Sequence, residues 1–210
     1  MDAPPYRIET ERLVVRCWEP RDATLLKEAV DASIEHLRPW MPWVQHEPQT
    51  LDEKVELLRR FRGSFDLETD FVYALFARDE SRVVGGSGLH RRSDESALEI
   101  GYWLRPTETG TGLATEAVAA LTVAAFRHSG AARVDIRVDM RNERSLAVPR
   151  RLGYTEDATL RRRLPPILDG APPGDVVVFS MFAGEVAGSP AADVPFTAYD
   201  AAGHVLRRDP

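Results

Sequence analysis

The chain predicts an α+β fold with a mixed, mostly antiparallel central sheet flanked by helices. Three observations lead there. Four β-rich runs precede one long helical segment around residues 112–128, strand, helix and two further strands follow it, and that helix is the natural crossover of a parallel strand pair. With 210 residues and 43% hydrophobic content, the chain suffices for one well-packed domain.

Leu13–Trp18 (LVVRCW) is the first strand, ended by Glu19-Pro20-Arg21-Asp22, and Asp22 is placed to cap a helix running to about Ala32. His36–Trp43 carries Pro39 and Pro42, so a broken helix or loop is expected there, with Trp40 and Trp43 beside the bends. Thr50 starts a second helix in which Leu51, Val55, Leu58 and Phe61 recur at helical spacing until Gly63. Phe71–Arg78 and Arg82–Arg91 form a hairpin about Asp79-Glu80-Ser81, and Ala97–Leu104 is the next strand. After the helix from Gly112 to His128 come the strand Arg133–Met140, a short helix from Asn142 to Leu152, a strand beginning at Tyr154, and the last core strand Asp175–Phe182. Residues 8–184 therefore read as the domain. The Gly, Ser, Pro and Ala that follow suggest a linker, and residues 194–207 a small hairpin turning at Asp200–Gly203, so that 185–210 is an appendage and a candidate partner-binding or homodimer-forming element.

A net charge of −6 argues against a general affinity for nucleic acid or an anionic membrane surface. No apolar run approaches the roughly 20 residues of a membrane span, and the first residues carry no basic-then-apolar leader pattern, so a cytoplasmic location is the default expectation. Cys17 is the only cysteine, which excludes an internal disulfide, and it reads as a small core residue of the first strand. No pattern of metal ligands stands out, and no metal is expected.

The segment Thr109-Gly110-Thr111-Gly112-Leu113-Ala114-Thr115 places two glycines at a helix start, where unpaired backbone N–H groups and the positive dipole end favour a phosphate. Glycine permits close approach of the backbone, and the hydroxyls of Thr111 and Thr115 stand at the same end. Taken alone the turn is equally an ordinary helix start. Its neighbours change that reading. Glu99-Ile100-Gly101-Tyr102-Trp103-Leu104 before it, Asn142-Glu143-Arg144-Ser145 and Leu152-Gly153-Tyr154 after it, with Glu9-Thr10-Glu11-Arg12-Leu13 and His36–Trp43 upstream, resemble the GNAT acetyltransferase superfamily, in its ribosomal-protein N-terminal-acetyltransferase-like branch. The resemblance covers residues 8 to 183.

The resemblance implies the GNAT fold, with strands 97–104 and 133–140 splaying apart so that the pantetheine of acetyl-CoA bonds to strand backbone along Ile100, Gly101, Tyr102 and Trp103. It implies direct acetyl transfer to an amine, either a protein N-terminal α-amine or a small-molecule amine, with the turn 109–115 and Asn142 holding the cofactor. The family's Gln or Arg at the first position of the turn is Thr109 here, which leaves the cradle to backbone amides and threonine side chains. The tyrosine that many members use as proton donor falls at Pro149, and a donor role passes by the branch's pattern to Ser145. These two departures keep open a non-catalytic acyl-CoA-binding or regulatory module.

Acyl transfer requires a neutral amine, and reference pKa values leave roughly a tenth of an α-amine neutral at pH 7 against about one in two thousand for lysine. Glu99, a carboxylate on the central strand, is the leading candidate base and His90, at the end of the preceding strand, the second, each with an ordinary structural reading beside it. Trp40, Trp43 and Tyr102 are candidates for the acceptor pocket, since aromatic rings shape a groove and attract a cation.

Overall fold

In the computed structural model, residues 2–92, 94, 96–166 and 172–207 are described. The chain runs β1 (Arg7–Glu9), β2 (Leu13–Cys17), α1 (Ala23–Asp31), α2 (Ile34–Leu37), α3 (Leu51–Asp66), β3 (Phe71–Ala77), β4 (Val83–Arg91), β5 (Ala97–Leu104), α4 (Leu113–Ser129), β6 (Arg133–Asp139), α5 (Glu143–Leu152), β7 (Thr155–Leu164), β8 (Gly174–Phe182) and β9 (Thr197–Tyr199). One sheet holds all nine strands in the order β7-β8-β6-β5-β4-β3-β2-β1-β9. Every neighbouring pair is antiparallel except β5 and β6, whose connection is α4, as expected from the pattern around the central helix.

Two cores lie on opposite faces of the sheet. Alternate β5 residues Leu98, Ile100 and Leu104 face α4 and α5, while Trp103 packs on the other side with α1 and α3. Helix α4 is buried nearly all round, at Leu113, Glu116 to Ala125 and Ser129, and its alanines let neighbouring backbone approach closely.

Its outer face is covered by the segment expected to be a linker. Rather than spanning freely, 186–193 folds as two short 3-10 turns, Val186–Gly188 and Pro190–Asp193, and Ala191 enters the core beside α4. The hairpin at Asp200–Gly203 is present, with Tyr199 bridging Val205, and β9 extends the sheet beyond β1. Residues 208–210 of the expected appendage lie outside the described residues. β9 falls in the first arm of the expected hairpin, whereas β1, three residues long, has no readable sequence pattern of its own.

Thr50 caps α3 reciprocally with Glu53, and the helix passes through Gly63 to Asp66, three residues beyond the expected stop. The proline-broken stretch forms α2 and a 3-10 turn at Pro42–His46. No helix among the described residues is long and apolar enough to cross a membrane.

Two glycines should respond oppositely to alanine. Gly63 is mid-helix with nothing within 4 Å of an added Cβ, so Gly63→Ala should raise unfolding free energy by about 1 kcal/mol. Gly153 ends α5 at φ +83°, with Pro190 Cδ only 3.1 Å from a Cβ, so Gly153→Ala should cost about 1–3 kcal/mol in urea denaturation.

Candidate active site

The parallel ladder of β5 and β6 has its last rung at Ile100 and Ile136, although β5 continues to Leu104 and β6 to Asp139. Beyond that rung the strands separate. Ser87 Oγ donates to the Gly101 carbonyl and the Arg105 amide to Val84, so the backbone of 101 and 105 faces β4. By alternation the amides and carbonyls of Tyr102 and Leu104 point into the gap, where no strand meets them. Ile100, expected in the contact set, is instead the final paired residue and is buried in the core.

A cavity of about 630 Å³ opens at this gap, with Tyr102 lining it from one face of the sheet and Trp103 from the other, and with His36, Leu37, Trp40, Met41, Asn142, Ser145 and the glycine turn around it. The turn adopts the geometry its glycines permit, with Gly110 at φ +77° and Gly112, the N-cap of α4, at φ +85°. Among the described residues, no backbone carbonyl accepts from the amides of Gly110 to Thr115. These orphan donors at a helix N-terminus fit the pyrophosphate of a CoA thioester, and the bare edge of Tyr102 and Leu104 fits the amides of its pantetheine.

Not every residue of the turn faces the cavity. Thr109, Gly110, Gly112, Ala114 and Thr115 do. Thr111 does not: its hydroxyl hydrogen is given to the Glu108 carbonyl at 2.6 Å and its own carbonyl accepts from Arg12, so it stiffens the turn instead of donating to a ligand. Leu113 points into the core. The Thr109 hydroxyl likewise donates within the turn, to the Pro106 carbonyl at 2.8 Å.

The turn is clamped from β2. Glu116, buried in the first turn of α4, accepts from Thr10 Oγ1 at 2.6 Å, Arg12 N at 3.0 Å and Arg12 Nε at 2.6 Å, while Arg12 Nη1 donates to the Thr111 carbonyl at 2.8 Å. Neither Arg12 nor Glu116 was singled out from sequence as a site residue, since their partnership spans about a hundred residues of chain.

Helix α5 supplies the far wall. Asn142 caps it by accepting from the Ser145 amide. The Tyr102 hydroxyl lies 2.9 Å from Ser145 Oγ and donates to the Ser145 carbonyl at 3.0 Å. Burial pushes the Tyr102 phenol up to about 12, with the Ser145 contact pulling it back in part. Arg144, Val148 and Arg151 recur at helical spacing on the cavity side, and neither arginine has a carboxylate partner among the described residues. That i, i+4, i+7 stripe is a signal the sequence carries. The imidazole of His36 is held below its ordinary value by burial and by the Arg144 charge.

The opposite face holds the base candidates. Glu99 does not line the cavity: one carboxylate oxygen takes Arg92 Nη2 at 2.9 Å and the other Arg137 Nε at 3.3 Å. The leading base candidate is thus ion-paired at both oxygens, by a half-exposed arginine from each neighbouring segment. His90 pairs across the ladder with Glu99, and its Nδ1 lies 2.8 Å from Asp70 Oδ1. Trp40 lines the cavity, whereas Trp43 stands behind Trp103 in an edge-on contact at 6.0 Å. Tyr102, expected beside them, faces the other side of the sheet.

A profile of the acetyltransferase (GNAT) domain matches residues 12–155. The Bacillus subtilis protein YdaF is 28% identical over 157 residues, covering 72% of this chain and 82% of the relative. The Escherichia coli [ribosomal protein uS5]-alanine N-acetyltransferase is 27% identical over 175 residues, covering 80% and 87%. Among solved structures, the ribosomal-protein-S5-alanine acetyltransferase of Vibrio fischeri superimposes with a TM-score of 0.74 at 20% identity, over 84% of this chain and 96% of that one.

Gly110→Asp adds a carboxylate where nothing lies within 4 Å, at a positive φ that strains any side chain but aspartate and asparagine least. It should weaken acetyl-CoA binding about 100-fold by calorimetry, at unchanged fold, through like-charge repulsion of the pyrophosphate. Glu116→Ala leaves Thr10 and Arg12 without their shared acceptor and should lower unfolding free energy by about 3 kcal/mol.

Proposed function

Because the chain belongs to the GNAT acetyltransferase family, which transfers an acetyl group from acetyl-CoA to an amine, we propose that its acceptor is the α-amine at a protein N-terminus. The naming of its Escherichia coli relative for a ribosomal-protein alanine supports that choice, and such an acceptor is met in the cytoplasm. The observation that carries the reading is the cavity through the sheet, with a hydroxyl pair on one side of the strand gap and an open aromatic mouth on the other. Residues 8–184 supply these groups, and the segment after them braces α4.

Acetyl-CoA brings the activated acyl group, a thioester whose sulfur departs as thiolate. The work of the protein is placement and proton handling. The free amides of 110–115 would hold the pyrophosphate, with Arg144 and Arg151 adding positive charge nearby, and the exposed edge of Tyr102 and Leu104 would pair with the amides of the pantetheine. Ser145 and Tyr102 form one donor unit toward the departing sulfur, so the phenol absent at position 149 reaches this point from β5 instead. With its phenol pushed up to about 12, Tyr102 keeps its proton across the range in which an α-amine, reference pKa about 8, loses its own. Donor and nucleophile are thus both competent near pH 8.

Trp40 and Trp103 border the mouth through which the amine reaches the gap. An α-amine needs little help in deprotonation, which suits a site in which Glu99 is tied to two arginines.

Incubation with acetyl-CoA and short peptides should acetylate a free N-terminus and leave N-terminally blocked, lysine-bearing copies unmodified by mass spectrometry; acetylation confined to small-molecule amines would refute the protein acceptor. Ser145→Ala and Tyr102→Phe should each lower kcat about tenfold, with acetyl-CoA affinity within threefold of wild type. The double variant should be little worse than either, as befits groups acting as a unit.

A further inference from the structure

We propose that His90 accepts the proton of the incoming amine and that Asp70 is its positioning residue, an assignment that rests on the amine acetylation proposed above. Three observations carry it. A carboxylate only accepts hydrogen bonds, so with Asp70 Oδ1 at 2.8 Å the hydrogen of a neutral His90 ring sits on Nδ1 and the lone pair on Nε2. Among the described residues no group hydrogen-bonds to Nε2. The ring lies flat on the sheet over glycine: a Cβ at Gly88 would overlap it, and Nε2 is 3.6 Å from where a Cβ on Gly101 would stand.

Gly101 is the first residue beyond the last rung of the β5–β6 ladder, so the free nitrogen lies over β5 next to the point where the strands part, although His90 is not itself among the residues that line the cavity. It does so on the face of Trp103, opposite the one bearing Tyr102 and Ser145. The two proton transfers are thereby separated by the sheet. As the amine nitrogen's lone pair forms the N–C bond, the C–S bond breaks and its electron pair stays on sulfur. One proton passes from nitrogen to His90 Nε2, sulfur takes one from the Tyr102–Ser145 pair, and the histidinium returns its proton to that pair through solvent.

The charged groups placed near the ring are Asp70, just before β3, and Glu99, its cross-strand partner on β5, with Arg92 close to both carboxylates and Arg137 on the other oxygen of Glu99. Because Glu99 is bound twice over by guanidinium groups while Nε2 is unengaged, the histidine is the better placed acceptor of a proton.

The free protein supplies the first test. Its imidazole nitrogen NMR spectrum above pH 8 should show His90 as the Nδ1–H tautomer, with that assignment lost in Asp70→Asn; an Nε2–H tautomer in the wild type overturns the proposal. In turnover of an N-terminal peptide, His90→Gln should lower kcat/KM about 100-fold at pH 7 and less at pH 9, with acetyl-CoA affinity unchanged. The slope of log kcat/KM against pH, two in the acid range where base and amine must both lose a proton, should fall to one in that variant. Asp70→Asn should lower kcat about tenfold with KM unchanged, and the Asp70→Asn/His90→Gln variant should be no worse than His90→Gln alone, since a merely structural aspartate gives additive losses. Full activity of His90→Gln at pH 7, or a large loss in Glu99→Gln instead, overturns the assignment. Wild-type protein that acetylates no amine would defeat the underlying function, and this inference with it.

Discussion

The separation of β5 from β6 beyond Ile100 and Ile136 is the constraint on which the rest of this structure depends. Buried backbone amides and carbonyls are normally paired, and a central sheet that leaves one edge of Tyr102 and Leu104 bare gives up hydrogen bonds in the middle of its core. The gap persists with β5 braced on both of its faces. Tyr102 is held on one face by two contacts to Ser145 at the start of α5, and Trp103 is held on the other over Gly86, with Trp43 behind it. A ligand with peptide-like amides restores what the missing strand does not provide.

A second brace sets the phosphate end. The turn at 109–112 contains no long polar side chain, and its conformation instead comes from short hydroxyl bonds within the turn and from Arg12 acting at a distance. Glu116 ties that arginine and Thr10 to the first turn of α4, so the position of the orphan amides relative to the strand gap is set by β2 as much as by the helix they begin. On the outside, the 3-10 turn at Pro190–Asp193 packs on the same helix. The central helix is consequently fixed from two sides, which suits an element that must present backbone donors without moving.

The sheet also divides the chemistry. The hydroxyl pair stands on the α5 face and Trp103 on the α1 and α3 face, so the two sides of the gap present different chemistry. Alternation along β5 is enough to achieve this: neighbouring residues 102 and 103 necessarily point to opposite faces.

Periodicity and turn chemistry alone determined the strands from Leu13 onward, the crossover helix with its glycine start, and the short helix capped by Asn142, because each is specified by residues close in sequence. The motifs at 99–104, 109–115 and 142–145 likewise announced the family and its cofactor. What only the tertiary structure decided depends on distant partners. β1 is too short to read alone, the pairing of β9 with it joins distant parts of the chain, and the stretch after Gly184 looks like a spacer until Ala191 is seen to fill the core beside α4. Tyr102 joins Ser145 across 43 residues and Arg12 joins Glu116 across 104. Glu99 was legible as a strand carboxylate, yet its engagement by Arg92 and Arg137, and the placing of Asp70 against His90, follow from strand register and loop packing that local sequence does not encode.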